Sequence, residues 1–270
     1  MRFEKHEIPL VLFNAWEQGV KGAILVGYSP DHYRSVREIL DNYGPGGDGF
    51  PAIAGSIGIH PHESDNFDPA EVEGFRNEIS NPDIIAIGET GLDFFRDYAK
   101  RENQIGLFRA QVRIASDTGF PLIIHSRSAF KDTMSVLNEI TLSSRPGVFH
   151  CYGYGPDEIG AVIERGFFVS FAGNLTYTNA DDLRGALGLV PEDKILVETD
   201  CPFLVPRKAK NRGVRRNEPK YVVETLAAVA ELRGWSIESA GERIIVNTLE
   251  CFPRLKESDS WRGIAKGAEN

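Results

Sequence analysis

The sequence predicts an α/β protein folded as a TIM-type (β/α)8 barrel whose first strand is short or missing. Short apolar runs rich in Val and Ile recur along the chain, stretches of helical periodicity separate them, and 270 residues suit one large barrel. The runs fall at 23–26, 52–59, 84–87, 121–124, 147–149, 167–171 and 195–197, giving seven candidate strands. Continuous apolar runs with little alternation mark strands covered on both faces, as in a parallel sheet sheathed by its crossover helices. A closed barrel of this type needs eight strands, so one is lacking. The gap falls at the start, where Arg2, Glu4, Lys5, His6 and Glu7 are polar and a helix over 9–18 follows. A doubly wound open sheet would also take seven strands, but no glycine-rich dinucleotide turn follows an opening strand.

Between the strands, 103–117 places Leu107, Phe108, Val112 and Ile114 near helical spacing, and 31–40 reads as a helix with Asp31 as its cap. These stripes are core. No composition break, repeat or low-complexity linker divides the chain, so 1–256 is expected to be one domain, with 44–49 loose and 257–270 a flexible tail. A chain with 41% hydrophobic and 26% charged residues is neither disordered nor collagenous. Its formal charge of -9 means that a nucleic acid must be met by a local basic patch or a metal ion. No apolar run approaches the roughly 18 residues of a membrane helix, and the opening MRFEKHEIPL is not a signal peptide, so a soluble cytoplasmic protein is expected. Cys151, Cys201 and Cys251 form no CxxC motif, which argues against a disulfide framework or a structural zinc site of that type.

Chemistry concentrates at strand ends. Glu89 follows Ile-Ile-Ala-Ile-Gly, His125 follows Pro-Leu-Ile-Ile, His150 follows Gly-Val-Phe, and Asp200 follows Ile-Leu-Val-Glu-Thr. In a parallel barrel every strand opens its C-terminal end on one face, so these four converge despite their separation in sequence. Carboxylate and imidazole ligands from separate strands suit a divalent cation, Zn, Mn or Mg, and thus a hydrolase. A lone His after a strand is more often a hydrogen-bonded structural residue, but four of the six histidines, His60, His62, His125 and His150, lie at such ends. His6 and His32 sit in polar segments and read as solvated. Asp93 and Asp97 read as loop caps, and Cys151 and Cys201 as small buried neighbours of the ligands.

Gly88-Glu89-Thr90-Gly91-Leu92-Asp93, Ile124-His125-Ser126-Arg127, His150-Cys151-Tyr152, Glu198-Thr199-Asp200-Cys201-Pro202 and Arg216-Asn217-Glu218-Pro219 resemble, in order, the signature segments of the TatD family of metal-dependent deoxyribonucleases. Gly58-Ile59-His60-Pro61-His62 and Phe108-Arg109-Ala110-Gln111 belong to the same match, which covers about 3–252. The resemblance implies an amidohydrolase-like barrel, one or two divalent cations and hydrolysis of DNA phosphodiesters, on single-stranded or frayed ends. Family members usually open with a strand ending in a His-x-His pair, and this sequence holds no such pair at its opening. It reads as starting about ten residues late relative to the family, at the place where the strand count also falls short. A second metal site is therefore expected to be weaker than the first.

The resemblance assigns Glu89 as a carboxylate that would bridge two metals, His125 and His150 as neutral nitrogen ligands, and Asp200 as the general base on a metal-bound water. His60 and His62 are candidates for a second metal or a phosphate, with a structural role for His60 equally open. Arg207, Lys208, Lys210, Arg212, Arg215 and Arg216 form a basic run after the Asp200 strand and, with Arg127, are candidate phosphate contacts; the alternative is a solvated loop. Competing readings are a related barrel hydrolase acting on a small amide, ester or phosphoester, and a non-catalytic binding protein with a degenerate site.

Overall fold

The structure, a computed structural model, describes residues 3–47, 49–96 and 98–268. Seven strands form a single curled, all-parallel sheet in the order β1 to β7: β1 Gly22–Leu25, β2 Ala52–Ile57, β3 Ile84–Asp93, β4 Leu122–Arg127, β5 Gly147–Phe149, β6 Phe168–Phe171 and β7 Ile195–Val197. Among the described residues β1 and β7 form the two edges and do not pair with each other. Ahead of β1 the chain is helical, a 3-10 turn at Lys5–Glu7 and then Ile8–Glu17.

The crossover helices form where capping and apolar spacing agree. In Pro30–Tyr43 the Ser29 side chain accepts from the His32 N–H, Pro30 opens the first turn, and Tyr33, Val36 and Leu40 line the buried face. The cap is therefore Ser29, not Asp31, because Asp31 lies inside the first turn where its charge meets the helix dipole. His32 stacks on Tyr28 with ring centroids 3.9 Å apart, so it is half-buried rather than solvated. Helix Arg101–Thr118 buries Leu107, Phe108, Gln111, Val112, Ile114 and Ala115 and stops at Gly119, whose φ of 75° closes the last turn in the left-handed region.

Two apolar clusters share the strands by the alternation of side chains. Ile53, Ile124, Phe149, Val169 and Ile195 pack with helix residues such as Leu40 and Phe108, whereas Ala52, Ala54, Ile123, Val148, Phe168 and Leu196 pack on the inner side. The inner cluster is completed by Leu249, Cys251, Phe252, Leu255 and Trp261 from the C-terminal segments.

The expected flexible tail is thus corrected: Asp259–Ala268 is a helix, and Trp261 is only 6% exposed. The Trp261 ring lies so close to Gly22 of β1 that a Cβ there would come within 2.4 Å of it. Trp261, Ile264 and Ala265 supply an apolar stripe at helical spacing that anchors the segment, and the polar residues before it disguised the stripe in the sequence. No helix among the described residues is long and apolar enough to cross a membrane.

Candidate active site

Strand alternation also sets the site. The inner positions Ile123 and Val148 put His125 and His150 two residues on, facing the same side at the C-terminal end of the sheet, and Leu196 does the same for Glu198. β3 approaches β4 very closely. A Cβ at Gly91, with φ of 140°, would lie 1.9 Å from the His125 carbonyl oxygen, so only glycine lets the carboxylates of β3 reach the rings of β4. Cys151 and Asp200, directly beside the site, hold φ values of 44° and 52°, an uncommon backbone region for residues with a Cβ.

One oxygen of Glu89 lies at the centre. Its Oε1 is 2.9 Å from His125 Nδ1, 2.9 Å from His150 Nε2 and 3.5 Å from His60 Nε2. The far nitrogens of two of these rings meet carboxylates of their own: His125 Nε2 lies 3.1 Å from Asp93 Oδ2, and His150 Nδ1 lies 3.1 Å from Glu198 Oε2. Burial disfavours charge on both rings, yet the carboxylates outweigh it, raising His125 through Asp93 and Glu89 and holding His150 well above the usual histidine range through Glu198 and Glu89. Burial pushes Glu89 upward too, but His150, His60 and His125 overcome this and keep it well below the ordinary carboxylate range.

His60 behaves differently. Its Nδ1 accepts the His62 backbone N–H at 3.2 Å, and burial drives its pKa down to about 3, so it is a neutral ring whose Nε2 carries the hydrogen and points at Glu89. To offer that nitrogen to a metal, the ring must give up the bond from His62. His62 instead turns its Nε2 to Asp93 Oδ2 at 3.0 Å. Asp93 does cap its loop, as expected, accepting the N–H groups of Phe95 at 2.9 Å and Arg96 at 3.0 Å, but its second oxygen joins His62 and His125. Asp97 lies outside the described residues.

At Asp200 burial wins. Its pKa is pushed up to about 7 by burial, with Glu198 and Glu89 adding to the rise and His150 and His125 opposing it. Burial also raises both neighbouring thiols, Cys201 to about 11 and Cys151 well beyond its usual value.

The donor set fits a divalent cation. One atom each from His60, Glu89 and His125 lie within 4.8 Å of one another, and His150 adds a fourth donor, its Nε2, against Glu89. Carboxylates behind His125 and His150 are the arrangement that fixes the tautomer of a metal-binding imidazole. Asp93 thus does more than cap its loop, and Glu198 takes a place behind His150 that no local motif announces. The available signal was parity, since Glu198 shares the inner face of β7 with Leu196.

The basic run is partly committed to the protein itself. Arg212 pairs with Glu224, and Arg216 grips Glu7 with two bonds of 3.0 and 2.6 Å. Lys210 Nζ reaches the Tyr177 hydroxyl at 2.7 Å. Arg207, Lys208 and Arg215 are exposed and have no ion pair among the described residues. Arg127, at the mouth end of β4, lays its guanidinium 4.0 Å over the Phe95 ring.

A curled parallel sheet with imidazoles and carboxylates gathered at its strand ends defines a barrel hydrolase that depends on a divalent metal. Comparison with known proteins narrows the class. Residues 2–253 match the family described as TatD related DNase, and the chain belongs to that family. It is 31% identical over 255 residues to the uncharacterized metal-dependent hydrolase YcfH of Escherichia coli K12, covering 93% of this chain and 89% of that protein. It is 32% identical over 227 residues to the 3'-5' ssDNA/RNA exonuclease TatD of Salmonella typhimurium LT2, covering 83% of this chain and 84% of that one. The crystal structure of the TatD homolog YjjV from Escherichia coli K12 superposes with a TM-score of 0.83 at 23% identity, covering 92% of each chain, which supports the fold.

Proposed function

We propose that the chain is a metal-dependent deoxyribonuclease hydrolysing phosphodiester bonds at single-stranded DNA ends. The observation that carries this reading is Glu89 held between His125 and His150, each backed by its own carboxylate, beside a carboxyl in Asp200 that titrates near neutrality. The name of the Salmonella relative, an exonuclease on single-stranded DNA and RNA, supports the substrate class.

Glu89, His125 and His150 would hold the ion, with His60 as a donor to Glu89 or a further ligand. A divalent cation there neutralises charge on the phosphate oxygens and lowers the pKa of a coordinated water. His125 Nδ1 and His150 Nε2 face Glu89 and are the nitrogens that would turn to a bound ion, while the opposite nitrogens would keep their hydrogens toward Asp93 and Glu198. Asp200 takes the proton from the attacking water as its oxygen bonds to phosphorus, the phosphorus–oxygen bond to the leaving strand breaks, and the proton held by Asp200 passes to the departing oxygen. Burial favours the protonated form of Asp200, the direction that helps it hold that proton. Arg127, Arg207, Lys208 and Arg215 are among the cations available for backbone phosphates.

The test is metal-free protein incubated with end-labelled single-stranded DNA while Mg or Mn is added back. Metal-restored, progressive shortening of the strand is expected. Full activity on a small ester or amide with no cleavage of DNA would overturn the reading.

A further inference from the structure

Three exposed aromatic rings stand in the loops that follow the strands carrying the site. Phe95 is 58% exposed, Tyr98 63% and Phe203 63%. Other tyrosines nearby are already engaged: Tyr152 is 2% exposed, Tyr154 bonds Ser126 Oγ at 2.8 Å, and Tyr177 donates to the Val205 carbonyl at 3.0 Å.

The three exposed rings are tied to the site through their backbones or neighbours. The Phe95 N–H donates to Asp93 Oδ1 at 2.9 Å. Tyr98 meets the His62 ring edge-on with centroids 4.8 Å apart, and His62 in turn bonds Asp93. The Phe203 N–H donates to the Asp200 carbonyl oxygen at 2.9 Å, while its own carbonyl accepts from the buried Asn217 amide at 2.7 Å. Large apolar rings left in water on tethered loops are unfilled contact surface, and their position over a polar site selects what can fill it.

Charge narrows the occupant further. Arg127 lies 4.0 Å and Arg96 5.5 Å from the Phe95 ring centroid, so ring and cations form one surface on a chain whose formal charge is -9. An exposed aromatic ring with the Arg127 guanidinium over it and Arg96 close by suits a flat π-face joined to an anion, which describes a nucleotide unit.

We infer that Phe95, Tyr98 and Phe203 are a base-stacking platform that seats the unpaired bases of a single strand beside the metal cluster, with Arg127 holding a backbone phosphate against it. This rests on the nuclease reading and adds to it: the strand is gripped by its bases as well as its charge, without sequence preference because every base has a π-face. A duplex is disfavoured because its bases are stacked on one another and unavailable to the rings.

The experiment measures binding, by anisotropy under chelation, of a short labelled single strand and of a strand of equal length and charge that lacks bases. The full-length chain is expected to bind the base-bearing strand about 100-fold more tightly. Phe95→Leu and Tyr98→Leu should each weaken that strand by roughly tenfold and leave the base-free strand where it was, while Tyr98→Phe, which keeps the ring, should bind like the parent. Equal affinity of the parent for the two strands, or equal weakening of both by the leucine variants, would overturn the inference. Adding Mn afterwards separates the two readings. A strand held through its bases but never cut sinks the nuclease reading alone, and a strand cut at the same KM with or without bases sinks the platform alone.

Discussion

Replacing Asp200 by Asn should make the metal-free protein more stable and the metal-loaded one nearly inactive, a pairing that a structural carboxylate could not produce. Burial raises this carboxyl from 3.8 to about 7, so the folded state binds its proton more tightly than the unfolded chain does. The associated stabilisation is complete below the unfolded value and is lost as pH climbs through about 7, leaving a buried charge above it. A rise of about three units at 1.36 kcal/mol each sets a ceiling of about 4 kcal/mol at pH 8, which falls to roughly 0.5 kcal/mol at pH 4. Partial access to solvent and the lost attraction of His150 and His125 reduce the benefit, so a gain of about 1–3 kcal/mol is expected at pH 8. Urea unfolding in chelator across pH 4–8 measures it, and DNA cleavage with Mn added should fall about 100-fold or more, the low end of what a general base contributes. A variant destabilised at every pH, or one cleaving at the parent rate, would refute the assignment of Asp200.

Glu198→Gln and Asp93→Asn remove the carboxylates behind His150 and His125, and each should weaken metal binding about 10- to 100-fold in calorimetric titration. Because metal must displace protons from those two raised histidines, affinity should fall as pH drops and protons should be released on binding, seen as a dependence of the heat on buffer. Replacing Arg207 and Arg215 together should lower the salt slope of strand binding by about one unit for each lost phosphate contact; an unchanged slope would mark the loop as merely solvated. Trp261→Ala should destabilise the fold by about 3–5 kcal/mol in denaturant titration, since it empties the ring from the inner cluster against Gly22.

Much of this was legible because strand ends are written locally. Apolar runs end at Phe149 and close to Glu89, His125 and Asp200, and parallel topology alone makes those ends neighbours. The apolar run alone predicts a third strand that ends at residue 87, whereas the strand continues through polar residues to Asp93, with Gly91 admitting the His125 carbonyl. The partnership of Glu198 with His150 depends on facing across the sheet, which no spacing in the chain encodes. Arg216 shows the same limit: it sits in a basic run that suggests phosphate, yet its partner is Glu7 from the other end of the sequence. The packing of the C-terminal helix is hidden in the sequence because Trp261 is surrounded by polar residues, and only the inner cluster shows what it fills.

The most direct test is to titrate metal-free protein with Mn, count bound ions by elemental analysis, and follow cleavage of single-stranded DNA on the same samples. One tightly held ion per chain is expected, with cleavage rising in step with its occupancy and both lost in Glu89→Gln, because Glu89 is the carboxylate that His125 and His150 share. Two ions held equally tightly, or DNA cleavage that persists in Glu89→Gln or without metal, would contradict it.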